Sequence, residues 1–276
     1  MNTVLYLSIA GFIFKLVFHK STDKQNKVTP QYFVNEILQY NEGFLHDSEP
    51  PSTDFIIEFL EAKGFDLYEG PKENFFIHFY SSFAYHHITT FYHISRVQFI
   101  HLLKSAIEEL LFKKGFVLHC SANLVRGKAV IYVGKSGIGK TTFVKILQKE
   151  YPILADDEGY VTKEGKEFYF YQGPFLERSY SFTKSSKRYQ IAALFLLEQG
   201  SDIFITQPKK EELSHLFLQM ISSSVQSQSL SDRTLLTSLR KNIPFQKLVF
   251  TKNKEELMNC ILNHSPFNNT TGLNAE

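Results

Sequence analysis

The stretch that decides the fold is VGKSGIGKTT, residues 133–142, which follows the apolar run AVIY at 129–132. It satisfies the spacing G-x-x-x-x-G-K-[ST] of a phosphate-binding loop. In such a loop the glycines let backbone N–H groups converge on phosphate oxygens, the lysine reaches the β- and γ-phosphates and the threonine contacts Mg²⁺. The residues expected to hold a nucleoside triphosphate are Gly134, Lys135, Ser136, Gly137, Ile138, Gly139, Lys140, Thr141 and Thr142.

The surroundings of the loop favour this interpretation over a glycine-rich turn that binds nothing. The loop follows a β-type run and precedes a segment with Phe143, Ile146 and Leu147 on one helical face. A strand, a loop and a helix in this order place the positive end of the helix at the phosphates. The sequence therefore predicts that ATP and Mg²⁺ bind here.

Three acidic residues, Asp156, Asp157 and Glu158, end the apolar run PILA soon after the loop. In phosphoryl transfer one carboxylate can assist Mg²⁺ and a second can take the proton of an attacking hydroxyl. Adjacent residues on a strand point to opposite faces, so the two aspartates can divide these tasks. The alternative is a solvated acidic turn before Gly159.

Histidines give a weaker signal. His119 lies on the predicted strand that leads toward the loop, and a lone histidine among apolar residues is more often a core group than a functional one. His86 and His87 have no partners at metal-ligand spacing, so they are interpreted as strand residues.

Composition narrows the class of protein. The 276 residues are 43% hydrophobic and 21% charged, which excludes disorder for most of the chain. The net charge of +2 comes without a basic stripe, so nucleic acid is not the expected partner. Two cysteines, Cys120 and Cys260, cannot form a disulfide framework. They indicate either a reducing compartment or simply two small buried residues, and the cytoplasm is the expected location.

The first 95 residues predict a β-rich region. The apolar run from Val4 to Phe14 lacks the flanks of an export signal and is too short to span a bilayer, so it predicts strands around Gly11 and no membrane association. A short helix is expected at 32–39. Aromatic, β-branched runs at 54–60 and 74–94 predict an antiparallel sheet.

Residues 96–264 are expected to form the nucleotide-binding core, and 265–276 a flexible tail. Helical spacing of apolar residues predicts a helix over 96–114. The strands expected after it are 116–125, 129–134, 152–158, 167–173, 191–199 and 245–251. The further helices expected are 141–151, 209–221, 229–241 and 254–262.

The order of these features resembles the catalytic core of the HPr kinase/phosphorylase family and its shorter bacterial relatives. The residues that carry the resemblance are LHCSANLVRGKAVIYVGKSGIGKTTFVKILQKEYPILADDEG, and it extends more weakly to residue 218. It implies an α/β (α+β) fold with a mixed sheet, similar to the nucleotide domain of phosphoenolpyruvate carboxykinase, preceded by the β-rich region.

The resemblance also implies ATP- and Mg²⁺-dependent phosphorylation of a seryl hydroxyl on a protein or peptide. Lys140 would act on the phosphates, Thr141 and Asp157 would hold the metal, and Asp156 or Asp157 would serve as general base. His119 would lie beside the aspartates. A homo-oligomer is compatible with this family.

The chain departs from the family after the aspartates. Full-length HPr kinases carry a Glu-x-Arg-Gly-type signature, and here only GPFLERSYSF is found, with Arg178 as the candidate charge. This departure keeps open an ATP-binding sensor or scaffold without kinase activity. A kinase of small molecules is a third, weaker alternative.

Overall fold

The computed structural model describes residues 3–19, 30–60, 81–83, 85–90, 96–175, 184–209, 211–212, 228–264 and 267. The chain divides into two compact units. The first comprises Met1–Leu110 with Lys184–Ser186, and the second comprises Leu111–Thr183 with Lys187–Glu276. The phosphate-binding loop and the acidic residues belong to the second unit.

In the described part of the first unit, five strands form one sheet in the order β1-β2-β3-β5-β4. The elements are β1 (Thr3–Ile9), β2 (Phe12–Phe18), α1 (Pro30–Tyr40), β3 (Phe55–Leu60), β4 (Ser81–Phe83), β5 (His86–Thr90) and α2 (Arg96–Leu111). Ala10 and Gly11 have φ angles of 54° and 83°, which form the tight turn between β1 and β2. The strands predicted around Gly11 are confirmed.

The antiparallel sheet predicted from the runs 54–60 and 74–94 is wrong in part: β4 and β5 pair antiparallel, as β1 and β2 do, but the other two pairings are parallel. β2 pairs with β3, and β3 with β5, in parallel. The reason is the connection: α1 lies between β2 and β3 in the chain, and such a crossover returns the next strand in the same direction. Alternation of side chains reveals which residues share a face but not the direction of a strand. Part of the run 74–94 lies outside the described residues.

Aromatic side chains fill the core of the first unit. One face of the sheet buries Phe14, Phe18, Phe55 and Phe59, and the rings of Phe18 and Phe59 stack with centroids 4.6 Å apart. Burial of rings of this size supplies much of the hydrophobic stabilisation of a small sheet domain. These phenylalanines are therefore structural.

In the described part of the second unit, seven strands form a mixed sheet in the order β11-β12-β10-β7-β6-β8-β9. The strands are β6 (Gly115–Val125), β7 (Lys128–Val133), β8 (Ile153–Glu164), β9 (Glu167–Gln172), β10 (Arg188–Gln199), β11 (Phe204–Thr206) and β12 (Phe245–Phe250). The helices are α3 (Lys140–Leu147), α4 (Gln228–Asn242) and α5 (Lys254–Leu262). The predicted mixed α/β fold is confirmed.

Pairing directions within this sheet place the loop. β7 runs parallel to β10, and β10 parallel to β12, whereas β6 is antiparallel to both β7 and β8. β9 pairs with the first residues of β10 as well as with β8, so one half of the sheet closes on itself. The loop leaves the carboxyl end of β7 beside its parallel neighbour β10, as ligand loops do in α/β sheets.

Helices cover both faces of this sheet. Phe143, Val144 and Leu147 of α3 pack in one apolar cluster with Leu257 and Ile261 of α5. A second cluster on the other face contains Leu235, Leu236 and Leu239 of α4. α3 is thus anchored by its apolar side, which fixes the direction of its N-terminus.

Several boundaries differ from the predictions. α3 ends at Leu147, earlier than expected, and β11 was not predicted. β8 continues to Glu164, so the acidic residues lie within a strand rather than at its end or in a turn. The reason is that the pairing of β8 with β6 continues through all three acidic residues, and the pairing of β8 with β9 begins directly after them at Gly159. Most of the helix predicted over 209–221, and most of the tail, lie outside the described residues.

Candidate functional site

The phosphate-binding loop joins β7 to α3 with a backbone that requires glycine. Gly137 and Gly139 have φ angles of 78° and 101°, in a region that side chains with a Cβ rarely adopt. A Cβ on Gly137 would meet no atom within 4 Å, so this part of the loop borders open space. Gly139 caps α3 and accepts a hydrogen bond from the Phe143 N–H at 2.8 Å. The loop therefore has the backbone of an anion cradle.

Lys140 is the buried cation of the loop, with 8% of the residue exposed. Its Nζ donates to the carbonyl oxygen of Gly134 at 3.2 Å. Burial lowers the pKa of the Lys140 ammonium below its ordinary value of 10.5, and the charges of Asp157 and Asp156 oppose part of that shift. A phosphate bound here would replace the carbonyl oxygen of Gly134 as the partner of Lys140 Nζ. A buried ammonium interacts more strongly with a full negative charge than with a neutral carbonyl oxygen.

Asp156 lies beside the first turn of α3. Asp156 is 7% exposed. Its Oδ1 accepts hydrogen bonds from Thr141 Oγ1 at 2.7 Å and from Ser121 Oγ at 3.0 Å. Oδ2 is buried and has no hydrogen-bond partner within the described part of the chain. A buried carboxylate oxygen without a partner is costly, so this atom fits a cation. The residues present therefore suit Mg²⁺ held by Asp156 and Thr141.

In the part of the chain that the structure describes, side chains alone do not form a complete metal cage. Among the described residues, no group of three or more His, Cys, Asp or Glu is arranged to hold a metal ion. Mg²⁺ at nucleotide sites is commonly bound by one or two protein groups together with phosphates and water. The arrangement around Asp156 suits an ion that arrives with a nucleotide.

Asp157 has different surroundings, although it is the next residue. Its side chain is 74% exposed, and Oδ1 lies 3.2 Å from His119 Nδ1. Its φ angle is 121°, a conformation that costs a residue with a side chain about 1–3 kcal/mol. Strained backbone of this kind is concentrated at functional sites. Asp157 and His119 form an exposed pair close to the buried Asp156.

The structure brings the predicted residues together on three elements. β6 carries His119, β8 carries the two aspartates, and α3 begins with Lys140 and Thr141. From the sequence, Thr141 and Asp157 were expected to hold the metal. The structure instead places Asp156 against Thr141. Which of two adjacent carboxylates faces a helix depends on strand register, and the sequence does not contain that information. Arg178 lies outside the described residues.

Sequence reasoning missed two residues at the site. Ser121 contacts Asp156 from the neighbouring strand, and Gln199 Nε2 donates to the carbonyl oxygen of Ile138 in the loop at 2.9 Å. Both contacts join residues far apart in the chain, so no local motif marks them. His86 and His87 lie in β5 of the first unit, as strand residues, and His86 Nε2 lies 2.8 Å from Glu58 Oε1.

Comparisons with known proteins bear on the second unit. A family model described as ABC transporter matches residues 117–244, which is less than half of the chain. A solved structure, that of the HPr(Ser) kinase/phosphatase from Coxiella burnetii, is 10% identical, with a TM-score of 0.29 over 52% of this chain and 90% of that one. A comparison with curated proteins finds no match.

The strand, loop and helix, together with the family match over them, define the second unit as a P-loop NTPase core. It is a nucleotide-binding domain built on a mixed sheet. None of the helices in the described ranges has the length and apolar character needed to cross a membrane.

Proposed function

We propose that the protein is an ATP- and Mg²⁺-dependent phosphotransferase, similar to the HPr-kinase-like serine kinases, that phosphorylates a hydroxyl of a protein or peptide. The observation that carries the proposal is the contrast between two consecutive carboxylates. Asp156 is buried against the loop threonine, and Asp157 is exposed against a histidine. A kinase needs these two environments, one for the metal and one for the acceptor.

The loop side of the site binds and orients the nucleotide. The amides of the loop and the ammonium of Lys140 would hold the phosphates, while Thr141 and Asp156 Oδ2 would hold the cation. ATP supplies the phosphoryl group and Mg²⁺ lowers the charge repulsion against an incoming oxygen. In this proposal Asp156, rather than Asp157, is the metal residue.

The acceptor side of the site moves a proton. Asp157 is exposed and can reach a hydroxyl of an incoming chain, whose proton its carboxylate would accept as the oxygen attacks. His119 Nδ1, as an N–H, would donate to Asp157 Oδ1 and fix the direction of the carboxylate. ADP and a phosphorylated hydroxyl are the products.

The sequence resemblance over residues 116–218 supports the choice of a serine kinase over other P-loop activities. This chain has the family's order of a Leu-His pair, the phosphate loop and an Ala-Asp-Asp sequence. The histidine, the loop and the aspartates of these motifs are the residues of the site described above. The protein or peptide acceptor is the part of this proposal that derives from the resemblance. The cytoplasmic location derives from the two cysteines, and a homo-oligomeric state is proposed beside them.

A second candidate is an ATP-binding sensor or scaffold without kinase activity. It is favoured by the departure of the sequence GPFLERSYSF from the family signature, which would remove a cation from the transferring phosphoryl group.

The two functions are distinguished by incubating the protein with γ-labelled ATP and the products of neighbouring genes. A labelled seryl product supports the kinase. Tight ATP binding with no labelled protein supports the sensor.

A further inference from the structure

Ser121 is a buried hydroxyl on the face of β6 that looks toward α3. The residue is 1% exposed, and it lies directly opposite Asp156 in the antiparallel pair of β6 and β8. The alternate residues Leu118, Cys120 and Ala122 belong to the apolar cluster on the other face. Ser121 therefore lies on the opposite face of β6 from that cluster, beside Asp156.

The hydrogen bonds of Ser121 and Thr141 go to the same oxygen of Asp156. Oδ1 accepts both of them, at 3.0 Å and 2.7 Å, whereas Oδ2 accepts none from the described residues. Two donors from different elements fix the rotation of the carboxylate. Ser121 and Thr141 together thus determine which carboxylate oxygen, Oδ2, receives no hydrogen bond from the described residues.

Thr141 cannot hold this geometry alone once a cation is present. A threonine hydroxyl has one proton and two lone pairs, so it can donate to Asp156 and offer a lone pair to the cation. Its position then depends on the cation as well as on Asp156. Ser121 lies on a paired central strand and supplies a donor that is independent of the cation.

We infer that Ser121 is a positioning residue that orients Asp156 so that Oδ2 faces the divalent cation of the bound nucleotide. The inference rests on the proposed function, because it assumes that Asp156 holds the cation. Partners that orient metal ligands typically change metal affinity by about 10–100-fold when they are removed.

Three substitutions of the full chain separate the hydroxyl from the volume of the side chain. Ser121→Ala removes the donor, while Ser121→Thr and Ser121→Val add nearly the same bulk, and of these two only threonine keeps a donor. Any strain from overpacking in β6 affects the last two variants alike. ADP binding in EDTA, measured by calorimetry, reports whether each variant retains a folded loop.

The test is the affinity for Mn²⁺ in the presence of ADP, measured from the paramagnetic resonance signal of free Mn²⁺. We expect Ser121→Ala and Ser121→Val to bind Mn²⁺ at least about tenfold more weakly, and Ser121→Thr to stay close to the wild type. ADP binding in EDTA is expected to be equal in all of them. Wild-type Mn²⁺ affinity in the alanine variant, or equal affinities of the threonine and valine variants, would overturn the inference.

The same titration keeps the two proposals apart. A wild-type protein that binds ADP equally with and without Mn²⁺ would contradict the metal site at Asp156, and the role of Ser121 would fall with it. A wild type that binds Mn²⁺, with variants that bind it equally well, would contradict the role of Ser121 alone.

Discussion

Asp156 and Asp157 are consecutive on β8 and face different surroundings. Asp156 is buried with two hydroxyl donors on one oxygen, and Asp157 is exposed beside His119 with a strained backbone. The pattern of the sequence indicated that the two side chains divide their tasks. Which of the two lies against Thr141 follows only from the structure, because it depends on the register between β6 and β8.

Exchanging each aspartate for asparagine should separate binding from transfer. Asp157→Asn should retain Mg²⁺-dependent nucleotide binding and lower the rate of transfer by at least about 100-fold, because removal of a general base costs that much. Asp156→Asn should instead weaken the Mg²⁺ dependence of ATP binding. Calorimetry with and without Mg²⁺ and single-turnover transfer measure the two effects. Identical behaviour of the two variants would contradict the division of roles.

Lys140 is expected to be essential for nucleotide binding. Lys140→Ala removes the buried ammonium that faces the loop carbonyl of Gly134 and should reduce ATP affinity below detection by calorimetry. Lys149→Ala is the matched control, because Lys149 is exposed and follows the end of α3. Tight ATP binding by the Lys140 variant would refute the assignment of the loop.

The shifted pKa of Lys140 predicts how binding depends on pH. In the free protein burial lowers this pKa below 10.5, and bound phosphates would raise it again, so the complex holds the proton more tightly. ADP affinity should therefore fall as pH rises through the free-protein value, with uptake of protons on binding. Calorimetry at alkaline pH in buffers of different ionisation enthalpy measures the uptake. Proton release, or an affinity that rises with pH, would be inconsistent with this role.

At the scale of elements, local patterns in the sequence predicted most strands and helices of the second unit. The apolar run before the loop became β7, and the helical spacing after it became α3. The acidic residues were expected to end a strand, yet β8 runs through them because its pairing with β6 continues past them and its pairing with β9 begins at Gly159. Pairing partners are distant in the sequence, which is also why parallel pairing in the first unit and the contacts of Ser121 and Gln199 were not predicted.

Gly159 shows how the acidic strand is packed. A Cβ at Gly159 would lie 2.3 Å from the ring of Phe170 on β9, whereas a Cβ at Gly173 would be no closer than 3.5 Å to Tyr160. Gly159→Ala should therefore lower the free energy of unfolding by about 1–3 kcal/mol through overpacking. Gly173→Ala is the control and should have a smaller effect. Urea unfolding measures both, and equal midpoints would contradict this view of the packing.

At the scale of the whole molecule, the candidate site lies within the second unit. His119, Ser121, Lys140, Thr141 and the two aspartates all fall between residues 111 and 183. The sequence predicted a boundary near residue 95 and a flexible tail after 264, and these limits remain predictions.

Nucleotide binding should stabilise the protein. A ligand at 100 times its Kd that binds only the folded state adds about 2.7 kcal/mol. We expect MgATP to raise the melting temperature and to slow amide exchange in residues 134–142 and in β8. Lys140→Ala is the control and should show neither effect. Protection by MgATP that persists in this variant would place the nucleotide elsewhere.

The most direct test of the central claim is a transfer experiment with γ-labelled ATP, wild-type protein and the Asp157→Asn variant. Each protein is mixed with the products of neighbouring genes, and labelled residues are located by mass spectrometry. We predict phosphoserine on one protein or peptide with the wild type and none above background with the variant, although both bind MgATP. Equal labelling by the two proteins, or no labelling by a wild type that binds MgATP, would contradict the account.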